Sequence, residues 1–293
     1  MCYIIQTQIG IIMKKIQAKK LLIVASFFAM ASCNNNTDKN DETAKPAEPA
    51  KQFIVEEQAN YTADTTTMNG VIAYDSATTN KRPVVLVIPE WWGLNDYAKS
   101  RAKQLASLGY LAMAVDMYGN GKTADNPELA GKMAMPFYLD PAFAKSRFDA
   151  ALAKVKTYAI ADTNQVAAIG YCFGGGMVLN MARLGEKLSG VVSFHGSLIG
   201  TPADKALLKS PVLVCHGADD QFVPAEEVAK FKKQMDSISA VYTFRSYPGA
   251  THAFTNPAAT ETGKKFSIPI AYNAAADSAS WVEMKAFFGK IFR

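Results

Sequence analysis

From Pro83 onward the sequence repeats one unit: a short, uninterrupted apolar run, then a stretch whose apolar residues recur every three or four positions. Continuous apolar runs suit strands buried on both faces, and the three-to-four period suits helices laid over them, so the alternation predicts a mainly parallel sheet flanked by helices. Strands are expected at 84–88, 111–115, 166–169, 190–195, 211–216 and 240–247. Asn95 is positioned to cap a helix that carries Leu94, Ala98, Ala102, Leu105 and Leu108 and stops at Gly109. Helices follow over 126–135 and 141–157, with Pro136 and Pro141 as punctuation. Further helices follow Cys172 (Met177, Val178, Met181, Leu184), start at Pro224 (Val228, Phe231, Met235), and close the chain (Trp281, Met284, Phe288, Ile291). Before these, Phe53-Ile54-Val55 and Val71-Ile72-Ala73-Tyr74 read as an antiparallel pair around a turn-rich piece ending at Asn69-Gly70. One α/β domain over residues 53–293 is the expected architecture.

The amino-terminal segment differs in kind. Lys14, Lys15, Lys19 and Lys20 are the only charges in the first 32 residues, and an apolar run of about ten residues follows them. That run is shorter than the ~20 residues of a membrane-spanning helix and suits an export signal, with Met13 as the expected true start. Met30-Ala31-Ser32-Cys33 resembles a bacterial lipobox, which makes Cys33 the candidate for lipidation; the competing reading is an ordinary secretory signal with an incidental cysteine. Residues 34–52 contain no aromatic or large aliphatic side chain, so they read as a disordered tether. The expected protein is therefore exported and held at the bacterial cell envelope, meeting the membrane only through a lipid anchor.

Charge excludes one class of partner. The net +5 arises from 31 basic and 26 acidic residues, and setting the four leading lysines aside leaves +1. Nothing in that balance points to nucleic acid. Of four cysteines only Cys172 and Cys215 lie in the globular part, too few for a disulfide framework. The three histidines are widely separated and offer no preformed metal face, so no metal is expected.

The chemistry concentrates at Gly170-Tyr171-Cys172-Phe173-Gly174-Gly175, where a strand gives way to a helix. Gly-x-Cys-x-Gly has the spacing of a nucleophile elbow with cysteine in place of serine, and the helix amino terminus beyond it favours a thiolate. Alone, the motif is equally compatible with a buried cysteine in a glycine-rich turn. In this fold class an acid and a base follow the nucleophile in chain order, and Asp220 and His252 lie in the loops after later strands, with Asp219 the alternative acid. His195 and His216, at strand ends, read as structural, and Cys215 as a core residue.

At these residues the chain resembles the dienelactone hydrolase family. The resemblance rests on Glu90-Trp91-Trp92-Gly93-Leu94-Asn95-Asp96, Asp116-Met117-Tyr118-Gly119, the Cys172 elbow, Asp220-Gln221-Phe222-Val223-Pro224 and His252-Ala253-Phe254, in that order along nearly the whole globular part. It implies a single α/β-hydrolase domain without metal or organic cofactor and with a Cys172-His252-Asp220 triad, the register favouring Asp220 over Asp219. It also implies that Glu90 contacts the resting thiol and helps deliver the thiolate, and that the N–H groups of Trp91 and Phe173 form the oxyanion hole. Trp92, Tyr118 and Phe254 become candidate walls of a substrate pocket, with packing beside the sheet as the competing role for the first two. Dienelactone-cleaving members hold the substrate carboxylate with two arginines, one of them four residues after the histidine. This chain has Asn256 there and no arginine between Arg101 and Arg147, leaving Lys122 or Lys132 as possible substitutes.

The reading that results is a monomeric hydrolase acting on a small-molecule ester or lactone, or a thioester, through an acyl-enzyme. Its alternatives are a lipid-tethered binding protein with a hydrolase fold and little turnover, and a hydrolase of peptide- or carbohydrate-linked acyl groups.

Overall fold

A computed structural model describes residues 51–292. The expected start at Met13, the signal, Cys33 and residues 34–50 of the tether lie outside the described residues. The described chain forms strands β1 (Ile54–Ala63), β2 (Thr66–Asp75), β3 (Arg82–Ile88), β4 (Leu111–Ala114), β5 (Ala161–Tyr171), β6 (Gly190–Phe194), β7 (Val212–Gly217) and β8 (Tyr242–Tyr247). Between and after them run helices α1 (Asp96–Ser107), α2 (Pro127–Leu139), α3 (Pro141–Val155), α4 (Phe173–Arg183), α5 (Ala225–Ser237), α6 (Ala259–Phe266) and α7 (Ala274–Ile291). All eight strands join one sheet in the order β1-β2-β4-β3-β5-β6-β7-β8; the β1–β2 and β2–β4 pairs are antiparallel and the rest parallel. This is the α/β-hydrolase architecture anticipated from the sequence.

Strand alternation divides the core. Val84, Leu86 and Ile88 of β3 face a cluster shared with α2, α3, α4 and α5, whereas Val85 and Val87 face a second cluster shared with α1 and α7. Both faces of the central strands are thus dry, which is why their sequences read as unbroken apolar runs.

Two expectations about punctuation are corrected. Asn69-Gly70 lies inside β2, paired with Asn60 and Ala59, and the hairpin turns at Asp64 and Thr65, with Asp64 left-handed at φ 51°. Gly70 is needed for packing: a Cβ there would sit 2.7 Å from the Met113 side chain and 3.3 Å from the Ala114 carbonyl oxygen. Pro136 lies within α2 rather than ending it. The helix stops at Asp140, whose carboxylate accepts from the N–H groups of Ala142 and Phe143 and so caps α3. Helix α6, without a long apolar period, was not anticipated.

Candidate active site

Neighbouring parallel strands deliver their carboxyl ends to one edge of the sheet, and the chemically competent residues follow those ends. Glu90 comes two residues after β3, Cys172 directly after β5, His195 directly after β6, Asp220 after β7 and His252 after β8. Because β3, β5, β6, β7 and β8 are consecutive in the sheet, residues as far apart in sequence as Glu90 and His252 meet in one place.

Cys172 sits between β5 and α4 at φ 53° and ψ −114°, a conformation unfavourable for a residue with a side chain. Its neighbours explain how that turn is tolerated. A Cβ on Gly170 would collide with the backbone of Gly174, and one on Gly174 would collide with the carbonyls of Ile88 and Pro89. The elbow therefore closes only with glycine at both sites, and the Gly174 N–H is tied to Pro89 O at 3.1 Å. That bond sets the start of α4 against the loop after β3. The Trp91 N–H follows β3 and the Phe173 N–H is the first of α4, and neither is spent on a turn or loop acceptor among the described residues. The Trp91 peptide is held by the Tyr118 hydroxyl, which donates to its carbonyl at 2.8 Å.

Asp220 and His252 are both buried, and Asp220 Oδ2 lies 2.8 Å from His252 Nδ1. The other Asp220 oxygen accepts the Phe222 N–H at 2.9 Å, fixing the carboxylate. Asp219, the alternative acid, is exposed and its backbone N–H bonds to Ala250 O. With Nδ1 committed, the remaining ring nitrogen of His252 is left for the Cys172 sulfur. Burial pulls the imidazole towards neutrality, but the charge and hydrogen bond of Cys172 and the Asp220 carboxylate outweigh it and raise its pKa to about 10. The arrangement can accept a thiol proton and hold it as an imidazolium.

Glu90 lines the same cavity, yet its hydrogen-bond partner among the described residues is Asn256, whose Nδ2 donates to Oε2 at 2.7 Å, and not the Cys172 thiol. This differs from the contact implied by the resemblance. The cause is the residue four positions after His252: a short amide stands there and donates to Glu90, while the sulfur faces the imidazole. Burial pushes the Glu90 carboxyl up to about 7, against the Asn256 hydrogen bond and the His252 and Arg101 charges, which favour the anion.

The cavity over Cys172 has a volume of about 290 Å³. Trp92 lines it, together with Trp91. Tyr118 and Phe254 do not: Tyr118 packs against Phe137 and Phe173, and Phe254 is fully buried beneath His195 and Tyr247. The sequence reading missed the walls formed by Ala134, Met135 and Tyr138 of α2 and by Ile268 and Ile270. The latter two reach the site because the strand-like stretch at Ile270 bridges to His252. The Ile-Pro-Ile stretch at 268–270 was their sole trace in the sequence.

Of the remaining single residues, Cys215 is fully buried; burial raises its thiol to about 12, which leaves it an inert core group. His216 packs on Phe244, and burial lowers its pKa. Asp116 accepts three backbone N–H groups, from Asn69, Gly119 and Gly121, so its motif pins the loop after β4 to β2.

His195 is the unexpected member. The Cys172 N–H is shared between Phe194 O at 3.0 Å and His195 Nδ1 at 3.1 Å, so Nε2 bears the imidazole proton and donates to Thr255 Oγ1 at 2.7 Å. Burial, with the nearby His252 and Arg101 charges, drives its pKa well below the usual range and keeps that neutral tautomer. The Thr255 hydroxyl meets Tyr97 at 2.6 Å, and the Thr255 carbonyl accepts from Arg101 at 2.6 Å. One chain of bonds thus joins the backbone of Cys172 to the loop that carries His252.

Comparison with known proteins places this geometry. A relative from Methylorubrum extorquens named "Putative carboxymethylenebutenolidase" is 31% identical over 184 residues, spanning 59% of this chain and 63% of that protein, just under two thirds of its length. Protein usf of Aquifex pyrophilus is 31% identical over 181 residues, 59% of this chain and 77% of its own. Among solved structures, a dienelactone hydrolase-like promiscuous phosphotriesterase, P91, from metagenomic libraries, superimposes with a TM-score of 0.77 at 34% identity, covering 82% of this chain and 99% of that one. Residues 68–292 match the model of the dienelactone hydrolase family, and with that span covering all five strand-end residues of the site, the chain belongs to the dienelactone hydrolase family.

Proposed function

We propose that the protein hydrolyses an ester or lactone, or a thioester, through a Cys172-His252-Asp220 triad and an acyl-enzyme. Membership of the dienelactone hydrolase family makes ester or lactone hydrolysis the activity class. What carries the finer reading is the Asp220–His252 bond of 2.8 Å behind a cysteine held at a strained strand-to-helix turn. His252 takes the thiol proton as the Cys172 sulfur bonds to the carbonyl carbon, and the Trp91 and Phe173 N–H groups receive the oxyanion. The carbon–oxygen bond then breaks, and the leaving alkoxide takes the proton from His252. Water, deprotonated by His252, attacks the acyl-enzyme; the carbon–sulfur bond breaks, the acid departs and the thiol is restored.

The test is hydrolysis of p-nitrophenyl pentanoate and of simple lactones by wild type and Cys172→Ala. A loss of at least ~10³-fold in kcat is expected, in the range seen when a member of a triad is removed. An acyl mass on the protein should also appear during turnover and vanish in the variant. Equal rates in both proteins would overturn Cys172 as the nucleophile, and no turnover by wild type would leave a binding protein on a hydrolase fold.

A second reading is supported by the likeness to P91, which is described as a promiscuous phosphotriesterase. The same sulfur could attack the phosphorus of an uncharged triester and release an aryloxide. Stoichiometric or catalytic nitrophenolate release from paraoxon, abolished in Cys172→Ala, is the outcome that supports it. The amino-terminal segment adds the proposal of an exported protein anchored through Cys33, which an acyl mass on that cysteine would support.

A further inference from the structure

The walls around Cys172 show what the substrate can carry. They are formed largely by Trp91, Trp92, Met135, Phe222, Ile268 and Ile270, and no lysine or arginine is among the lining residues. Lys122 and Lys132, the cations available to replace the absent arginines, are both exposed and do not line the cavity. Arg101 is buried behind it with its guanidinium committed to Thr255 O and Asp277. Asn256 spends its amide on Glu90 and its carbonyl oxygen on the Ala258 N–H. The ionisable groups left facing the space are Glu90, Cys172, His252 and Tyr138, and the one cation among them, His252, is already paired with Asp220.

A carboxylate entering such a space would lose its water with no new partner and would lie beside Glu90. Burying an unpaired charge costs several kcal/mol, whereas burying methylenes against aromatic and aliphatic walls is favourable by about 0.8 kcal/mol each. We propose that this site selects substrates whose acyl part is uncharged and apolar, and excludes acyl groups that carry a second, anionic carboxylate. For turnover the inference rests on the hydrolase reading above; for binding it does not.

Binding is therefore measured first, on Cys172→Ala, from quenching of the fluorescence of Trp91 and Trp92 by two inert amides of matched shape. Pentananilide is uncharged, and glutaranilic acid carries a terminal carboxylate. The expected Kd at pH 8 is at least 30-fold lower for pentananilide, and the methyl ester of glutaranilic acid should recover to within about 3-fold of it, since methylation removes the charge and keeps the length. Equal affinities, or tighter binding of the free acid, would overturn the inference whether or not any ester is turned over. With wild type, kcat/KM for p-nitrophenyl pentanoate should exceed that for mono-p-nitrophenyl glutarate by at least 100-fold, mainly through KM. Met135→Lys, which places a cation in the wall, should narrow that ratio by about 10-fold. Turnover of both esters by Cys172→Ala as by wild type would defeat the nucleophile assignment alone, leaving the binding preference to stand on the Kd ratio.

Discussion

Burial favours the neutral form of both Glu90 and His195, moving their pKa values in opposite directions, and each state has a measurable consequence. Glu90 is a carboxyl whose pKa is raised from 4.5 to about 7 by burial. The folded protein therefore binds more protons than the unfolded chain between those values, and its stability falls as pH rises through that window. Glu90→Gln removes the group that must ionise. In urea unfolding, the stability of this variant relative to wild type should rise across the window, by up to roughly 3 kcal/mol at pH 8. A difference that stays constant from pH 4 to pH 8 would contradict the assignment of a buried, titrating carboxyl. His195 works by geometry. It is a positioning residue that gives the Cys172 N–H a second acceptor beside Phe194 O and donates a hydrogen bond from its own ring N–H to Thr255. His195→Phe should lower kcat for p-nitrophenyl pentanoate by at least about 10-fold with little change in KM, the signature of a loss felt only in the transition state. His195→Asn keeps an acceptor near the Nδ1 position and should recover part of that loss. If Phe and Asn behave alike, the bond to Cys172 is not what matters.

At the level of elements, the glycines at the elbow separate packing from flexibility. Gly174→Ala would drive a methyl into the backbone at Ile88 and Pro89 and should cost at least about 3 kcal/mol, the upper range for overpacking. Gly289→Ala in α7 meets nothing within 4 Å and should stabilise by up to about 1 kcal/mol, because it only removes backbone freedom from the unfolded chain. Thermal or urea unfolding of the two variants should move in opposite directions. The same contrast explains what the sequence could reveal. The central strands and the elbow were legible because burial on both faces and backbone crowding each force a narrow choice of residue. The hairpin turn was not, since Asn69-Gly70 carries a turn signature but is used for close approach to β4, while Asp64 takes the left-handed turn with no glycine to mark it. The cavity walls were equally hidden: Met135 sits on an exposed helix face, and Ile268 and Ile270 on a loop without period, and only the tertiary fold brings them to Cys172.

Across the whole molecule, the loop bearing His252 is anchored by a single buried cation. Arg101 of α1 donates from one nitrogen to Thr255 O and to Asp277 of α7, each at 2.6 Å, and stacks near the rings of Tyr97, Tyr171 and Trp281. One guanidinium thus fastens two helices on the same face of the sheet to the segment three residues beyond His252. Neutralising only the acid leaves that guanidinium buried without its counter-charge. Asp277→Asn should therefore destabilise by about 3 kcal/mol, at the lower end of the cost of breaking a buried pair, because Asp277 retains some exposure. Arg101→Lys keeps a charge but loses the planar guanidinium that sets one nitrogen on both acceptors while the other holds Gln104. It should lower kcat more than Asp277→Asn does at a temperature where both are folded, since it is the Thr255 contact that steadies the His252 loop. Hydrogen exchange checks the route: in Arg101→Lys the amides of 252–256 should lose protection before those of β5 and β7 do. If exchange rises equally in all three segments, Arg101 supports the fold as a whole and not the loop.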